Sequence, residues 1–374
     1  MDEKMMRKLE DHLGEHLMLV KGLDKEIVEK AETRWDTIAK PLRSLGLLEK
    51  NLTKIAGITG TLRPQIRKRA LIAMCADNGV IEEGVTQTGN EVTAIVARNM
   101  AEGSTAVTVM AQAAGVDIFP VDIGIVTEGD CIEGIPEETE EIKPRTLLNR
   151  KIRRGTRNFA KEPAMDRVEA LRAILVGVKL VGQLKAQGYD IIATGEMGIG
   201  NTTTSSAMAA ALLHQPVEKM TGKGAGLSNE GLDRKIRVIK TALVERDVMP
   251  GDPMDVLCKV GGYDIAGLAG VFLGGAIYRI PVVIDGFISS VAALLAEKLL
   301  PHTTDFMIAS HVSKEPAGAL VLEALGLKPM LCCEMCLGEG TGAMAAMPVL
   351  DMAFTVYDTM ATFDDMQVEQ YKPL

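Results

Sequence analysis

Aromatic side chains are scarce in this chain. One tryptophan, five tyrosines and seven phenylalanines make up 3% of its 374 residues, too few for a platform on which single-stranded nucleic acid stacks. Positive charge is short as well: 41 lysines and arginines face 50 aspartates and glutamates, a formal charge of −9. That is the wrong sign for a protein that tracks a phosphate backbone, although a small anion held by backbone N–H groups remains compatible with it. No apolar run is long enough to span a bilayer, and the longest stretch, 267–284, is broken by Arg279 and Pro281. Met1-Asp2-Glu3-Lys4 opens a charged amphipathic helix in place of a signal peptide. Six cysteines at irregular spacing, without secretory features, read as the reduced thiols of a cytoplasmic protein. Cys332, Cys333 and Cys336 cluster, but there is no second cysteine pair and the five histidines are dispersed. No metal-ligand spacing results, and in this Met- and Leu-rich run the three are expected to be buried core thiols. A Ser-His-Asp arrangement is missing too, since His311 beside Ser310 and Ser313 reads as a structural histidine.

What is present is the composition of an ordinary globular protein, 47% apolar and 24% charged. The length exceeds the size at which single cores stop growing, so a large and a small domain are expected. Along residues 1–40, Leu9, Leu13, Leu17, Val20, Leu23 and Ile27 recur at spacings of three and four, which predicts helix up to Pro41. A second helix is expected over 45–56, with a turn-rich boundary at 57–64. Then the pattern alternates. Apolar strands are predicted at 70–75, 116–121, 191–194, 282–285 and 305–310, with helices at 91–114 and 167–186 and helical stretches after the later strands. Residues 127–165 are polar, without clear period, and read as a long excursion. Continuously apolar strands separated by helices predict an α/β fold, a doubly wound, Rossmann-like parallel sheet covered on both faces.

The chain is organised around Gly195-Glu196-Met197-Gly198-Ile199-Gly200-Asn201-Thr202-Thr203-Thr204, a glycine turn between strand and helix. Such a turn presents N–H groups and the positive end of a helix dipole to an anion, and its threonines can cap the helix or donate to phosphate oxygens. It misses the Walker loop because Asn201 stands where the lysine belongs. It misses the dinucleotide fingerprint because Thr203 replaces the third glycine. The plainer alternative is a turn that only lets the helix pack closely; Glu196 and Asn201 favour a ligand. Ligands of such sheets lie at the carboxyl ends of the strands, where Asp77, Asn78, Asp122, Glu196, Asn201, Asp285, Ser310 and His311 collect. A second glycine stretch, Leu337-Gly338-Glu339-Gly340-Thr341-Gly342, sets a carboxylate between glycines, suited to a general base or simply to a helix dipole.

Cys75-Ala76-Asp77-Asn78-Gly79-Val80, Gly195 to Thr203, Lys259-Val260-Gly261-Gly262-Tyr263-Asp264, Asp285-Gly286-Phe287 and Leu337 to Gly342 occur here in one order. In these motifs, over nearly its whole length, the chain resembles the nicotinate-nucleotide–dimethylbenzimidazole phosphoribosyltransferase family. The resemblance implies transfer of phosphoribose from nicotinate mononucleotide to 5,6-dimethylbenzimidazole or a related base, giving α-ribazole 5′-phosphate and nicotinate for the lower ligand of cobalamin. It places the general base on Glu339 and puts Glu196 at the site; the charge that develops at the anomeric carbon is cationic, which gives Glu196 a second catalytic role as the nearby carboxylate that stabilises it. Implied substrate contacts are Thr88, Gly198, Gly200, Asn201, Thr202, Lys235, Ser310, Leu337 and Gly338; Val96 stands where the family has a glutamine. No metal and no cofactor are implied. The resemblance further implies a homodimer and a smaller helical domain built from both chain ends. Residues 1–60 begin that small domain, 61–330 form the large nucleotide- and base-binding domain, and 331–374 complete the small domain and carry the catalytic glutamate. A non-catalytic nucleotide-binding or sensor protein on the same scaffold is the alternative; a phosphate-loop hydrolase is disfavoured by Asn201.

Overall fold

The computed structural model describes residues 3–18, 20–127, 129–132 and 140–371, with only the backbone for 3–5. Met1, Asp2, Leu19 and residues 128 and 133–139 of the polar excursion lie outside the described residues. Six strands are found among those described: β1 (Arg69–Ala76), β2 (Val116–Gly124), β3 (Leu148–Asn149), β4 (Ile191–Met197), β5 (Val282–Ile284) and β6 (Met307–Ala309). They form one sheet in the order β3-β2-β1-β4-β5-β6, parallel throughout. This is the doubly wound order, in which the direction of winding reverses between β1 and β4.

The strands are continuously apolar because helices cover both faces. Leu71 and Ala73 of β1 face one way, with Ile118, Ile191 and Ala193, onto Val107, Ala111, Met344 and Met347. Ile72 and Met74 face the other way, with Phe119, Val121 and Ile123, toward the helices Arg167–Ala186 and Tyr263–Tyr278. Those two helices touch backbone to backbone. A Cβ on Gly177 would lie 2.0 Å from the Gly267 carbonyl oxygen, and one on Gly270 would lie 1.9 Å from that of Ile174. Small residues on helix faces thus set how closely this layer packs.

Local chemistry departs from the expected elements in four places. The helix expected over 91–114 is two helices, Glu91–Glu102 and Ala106–Ala114. Gly103 in the left-handed region ends the first, and Thr105 caps the second in a reciprocal box with Thr108. The polar excursion contributes the two-residue edge strand β3, too short to leave a period in the sequence. At 305–310, a single 3-10 turn Thr303–Phe306 precedes a strand of only Met307–Ala309. The N-terminal helical region is two helices, Glu3–Leu17 and Lys25–Thr37, the second capped by Asp24.

The chain ends pack on different surfaces. Leu9 and Leu13 join the core of the Arg167–Ala186 side, and Arg167 Nε donates to Glu10 at 2.7 Å. Trp35, Ile38 and Leu52 instead cluster with Tyr357. The Trp35 and Tyr357 rings lie 4.8 Å apart, and Arg34 donates to the Tyr357 carbonyl at 2.7 Å. Helices from the N-terminal part of the chain therefore support the helix Thr341–Thr359, whose N-terminus begins just after Glu339.

Candidate active site

At the switch point β1 and β4 run side by side with Met74 opposite Glu196. Beyond their carboxyl ends lies a cleft of about 300 Å³. Glu196, Asn201, Thr202, Asp285 and Glu339 supply its polar wall, and Val92, Val96, Met197, Ile199, Phe287 and Ile288 its apolar one. That mixture, an apolar slot with a few convergent polar groups, is the usual make-up of a small-molecule site.

Glu196 is the last but one residue of β4 and is buried. Its carboxylate accepts a hydrogen bond from Asn201 Nδ2, and the same amide donates to Asp264 Oδ2 at 3.1 Å. Burial pushes the Glu196 carboxyl up to about 8, with Asp264 as the largest nearby charge adding to it. Burial likewise pushes Asp264 up to about 7. One amide thus serves two buried carboxyls that together retain a proton near neutrality.

Glu339 is positioned differently. It sits between two glycines, and all three residues are left-handed, with φ of 84° at Gly338, 62° at Glu339 and 103° at Gly340. A non-glycine residue in that region carries strain, and such residues gather at functional sites. Asp285, at the end of β5, holds the turn: its carboxylate accepts the N–H of Gly342 at 2.7 Å, of Ala343 at 3.1 Å and of Gly340 at 3.1 Å. Burial raises the Asp285 carboxyl, while His311 and these three N–H groups draw it back. Burial also raises the Glu339 carboxyl above the ordinary carboxylate range, with Asp285 adding to it. Its Oε2 is buried without a hydrogen-bond partner, an unsatisfied acceptor of the kind that a ligand at a functional site completes.

The two glycine turns interlock. Any side chain on Gly195 would meet the Glu339 carbonyl oxygen at 2.3 Å, and any on Gly338 would meet Glu196 Oε1 at 2.4 Å. Each turn gives up a side chain so that the other can approach, which is why a glycine precedes each glutamate, Gly195 before Glu196 and Gly338 before Glu339.

Of the residues singled out in the sequence, Glu196, Gly198, Asn201, Thr202, Leu337, Gly338 and Glu339 line this one cleft. Gly200 caps the helix Asn201–Leu212 at a φ of 94°. Lys235 stands behind the wall: its ammonium donates to Thr202 Oγ1 at 2.9 Å and to the Gly222 carbonyl at 3.2 Å. Burial pulls that ammonium down to about 8, against the attraction of Glu315. Ser310 is buried beneath the floor, donating to the Asp285 carbonyl at 3.0 Å. Thr88 is exposed and outside the lining residues. The N–H groups of Ile199, Asn201 and Thr203 are taken by Thr93 Oγ1, Gly198 and Gly200, so the turn offers an anion fewer amides than its glycine pattern promises. Asp264, Glu315 and the apolar residues Val92, Phe287 and Ile288 received no role from the sequence. Asp264 lay within a recognisable motif, whereas nothing local marks Glu315. The cysteine cluster is a correction: Cys332, Cys333 and Cys336 are exposed, because their segment runs over the surface without helix or strand instead of entering the core.

A phosphoribosyltransferase family model matches residues 20–368. The chain is 47% identical over 355 residues to the nicotinate-nucleotide–dimethylbenzimidazole phosphoribosyltransferase of Ruminiclostridium cellulolyticum, covering 95% of this chain and 97% of that one. It is 48% identical over 361 residues to the enzyme of the same name from Acetivibrio thermocellus, covering 96% and 99%. A crystal structure of CobT from Thermus thermophilus superimposes with a TM-score of 0.84 at 39% identity, over 92% of this chain and all of that one. Fold, motif order and relatives agree, and the chain belongs to the nicotinate-nucleotide–dimethylbenzimidazole phosphoribosyltransferase family.

Proposed function

We propose that this chain transfers the 5-phosphoribosyl group of nicotinate mononucleotide to a nitrogen of 5,6-dimethylbenzimidazole or a related base, for the lower ligand of cobalamin. The products are α-ribazole 5′-phosphate and nicotinate. The observation that carries the reading is the convergence of Glu196 and Glu339, on two interlocked turns, upon one cleft with an apolar wall.

Each part has a chemical task. Nicotinate in its mononucleotide is a pyridinium and departs without being protonated. Positive charge then grows at the anomeric carbon, and the Glu196 carboxylate stabilises it. Attack from the opposite face inverts the β-nucleotide to an α-riboside. As one benzimidazole nitrogen attacks, the N–H of the other becomes acidic, and Glu339, with its raised affinity for a proton, removes it. Because Lys235 donates to Thr202 Oγ1, that hydroxyl's own hydrogen is free to meet a phosphate oxygen, with the ammonium charge behind it. Val92, Val96, Phe287 and Ile288 favour an aromatic base with few polar edges.

Purified protein incubated with nicotinate mononucleotide and 5,6-dimethylbenzimidazole should release nicotinate and the α-riboside phosphate in equal amounts, read by chromatography with the anomer assigned by NMR. Nicotinate release with another acceptor only would change the base. Absence of release with any acceptor would leave a binding protein. A homodimer is part of the proposal, tested by light scattering for twice the 40.1 kDa chain mass. So is the division into a large sheet domain, 61–330, and a smaller helical one, whose support is the Trp35, Leu52 and Tyr357 cluster.

A further inference from the structure

The segment leading into Glu339 carries three thiols whose placement the reaction does not use. Cys333-Glu334-Met335-Cys336 has the spacing of a dithiol pair, with Cys332 beside it. All three are exposed, and Cys336 lines the catalytic cleft two residues before Gly338. Among the described residues no group of His, Cys, Asp and Glu is arranged to hold a metal ion, which leaves thiol chemistry as the use for this cluster.

We propose that Cys333 and Cys336 are a redox modification site whose disulfide form disables the Glu339 turn. The inference rests on the role given above to Glu339. In the structure described, residues 332–338 run without helix, strand, turn or bend. The segment is pinned upstream, where Leu331 and Ser310 pair at 2.9 Å, and at its centre, where Lys314 N–H donates to the Met335 carbonyl at 3.0 Å. It is pinned downstream where Asp285 holds Gly340. Glu334, between the two cysteines, is already in the left-handed region at a φ of 52°. A disulfide needs its two Cα atoms within about 7 Å, so closing a four-residue ring bends a stretch that is now unbent. With Met335 pinned between the two cysteines, closure draws Cys336 as well as Cys333 toward it and so pulls on Leu337 and Gly338, and Gly338 is the residue that must nest against Glu196 Oε1.

The step balances with a low-molecular-weight disulfide as oxidant. One cysteine thiolate attacks it and expels a thiolate, and the second cysteine attacks the resulting mixed disulfide and expels the other. The two cysteines lose two electrons and two protons, and the oxidant becomes two thiols. Accessible thiols with a resolving partner nearby are the ones that oxidise reversibly.

The test incubates the full chain with glutathione disulfide and follows both peptide mass and turnover. Expected are a peptide joining Cys333 to Cys336 that is lighter by two hydrogens, a fall in kcat of about 100-fold as the base is misplaced, and recovery with dithiothreitol. Cys333→Ser should keep the activity of the untreated chain and lose the sensitivity to oxidant. Failure of the linked peptide to form overturns the proposal even if no substrate turns over, because mass reads it independently. A linked peptide with undiminished turnover overturns it too, as does equal inactivation of Cys333→Ser through a mixed disulfide on Cys336. Absence of turnover before oxidation would instead count against the catalytic reading of Glu339.

Discussion

The turn after β4 and the turn before the helix Thr341–Thr359 each present a glutamate to one cleft, yet they hold it by opposite means. Glu196 belongs to a regular strand, is buried, and has its charge set by its surroundings: desolvation, Asp264, and the amide of Asn201. Glu339 belongs to no strand or helix and is held through the turn it sits in, three left-handed residues tied down by the Asp285 carboxylate. The first arrangement fixes an electrostatic environment and the second fixes a direction of approach. A group that stabilises charge needs the former. A group that must take a proton from a bound base needs the latter, together with an oxygen left unsatisfied until the base arrives.

Removing each glutamate should separate these roles. Glu339→Gln should have the largest effect, lowering kcat by about 10³-fold with little change in binding of nicotinate mononucleotide, as measured by steady-state kinetics and calorimetry. Glu196→Gln should lower kcat by about 100-fold and also abolish a pH limb. In the unmodified protein kcat/KM should rise through about 8, where the free Glu196 carboxyl ionises; in kcat that limb should move to lower pH, since the bound pyridinium favours the carboxylate. Stability carries the same signature with a definite sign. Glu196 binds its proton more tightly folded, at about 8, than at its ordinary 4.5, so its stabilising contribution is complete below that lower value and is lost as pH rises through the higher one. Thermal melts should therefore show Glu196→Gln gaining on the unmodified protein between these two pH values. If the gap does not widen, the carboxyl is not desolvated as described.

Asp285→Asn tests the backbone side of the comparison. It places an amide donor where three N–H groups now find carboxylate oxygens, and should cost about 1–3 kcal/mol in a denaturant titration and about tenfold or more in kcat. The smallest effect on stability belongs to Glu339→Gly, which removes the proposed base but relieves a left-handed non-glycine residue. The variant should be inactive yet more stable by roughly 0.5–1 kcal/mol. Equal or lower stability would mean that the turn is not strained.

Legibility in the sequence followed the range of the interactions. Strands such as Ile191–Met197 announce themselves because burial on both faces demands an unbroken apolar run. Strand Leu148–Asn149 is two residues long and leaves no pattern; the break at Gly103 is a single glycine inside an otherwise helical run. Glu196 and Glu339 are legible because glycines surround them, and the glycines are there for a contact that the sequence does not display, the interlocking of Gly195 and Gly338. Asp264 reaches Asn201 across 63 positions, and Asp285 reaches Gly340 across 55; neither pairing has a local signal. The cysteines mislead for a related reason. A run rich in Met, Leu and Cys resembles core, but only tertiary placement decides whether it enters the core or crosses the rim of a cleft.

The Arg34–Tyr357 contact spans 323 positions of the chain. During synthesis, the helix Lys25–Thr37 must therefore wait for its partner until the last part of the chain has emerged, after β1, β2 and β4 are available to pair. Contacts of such sequence separation form late and slowly. Assembly of the Glu339 turn, which emerges after every strand of the sheet, is thus among the final events of maturation, and a growing chain can build its sheet before that turn exists.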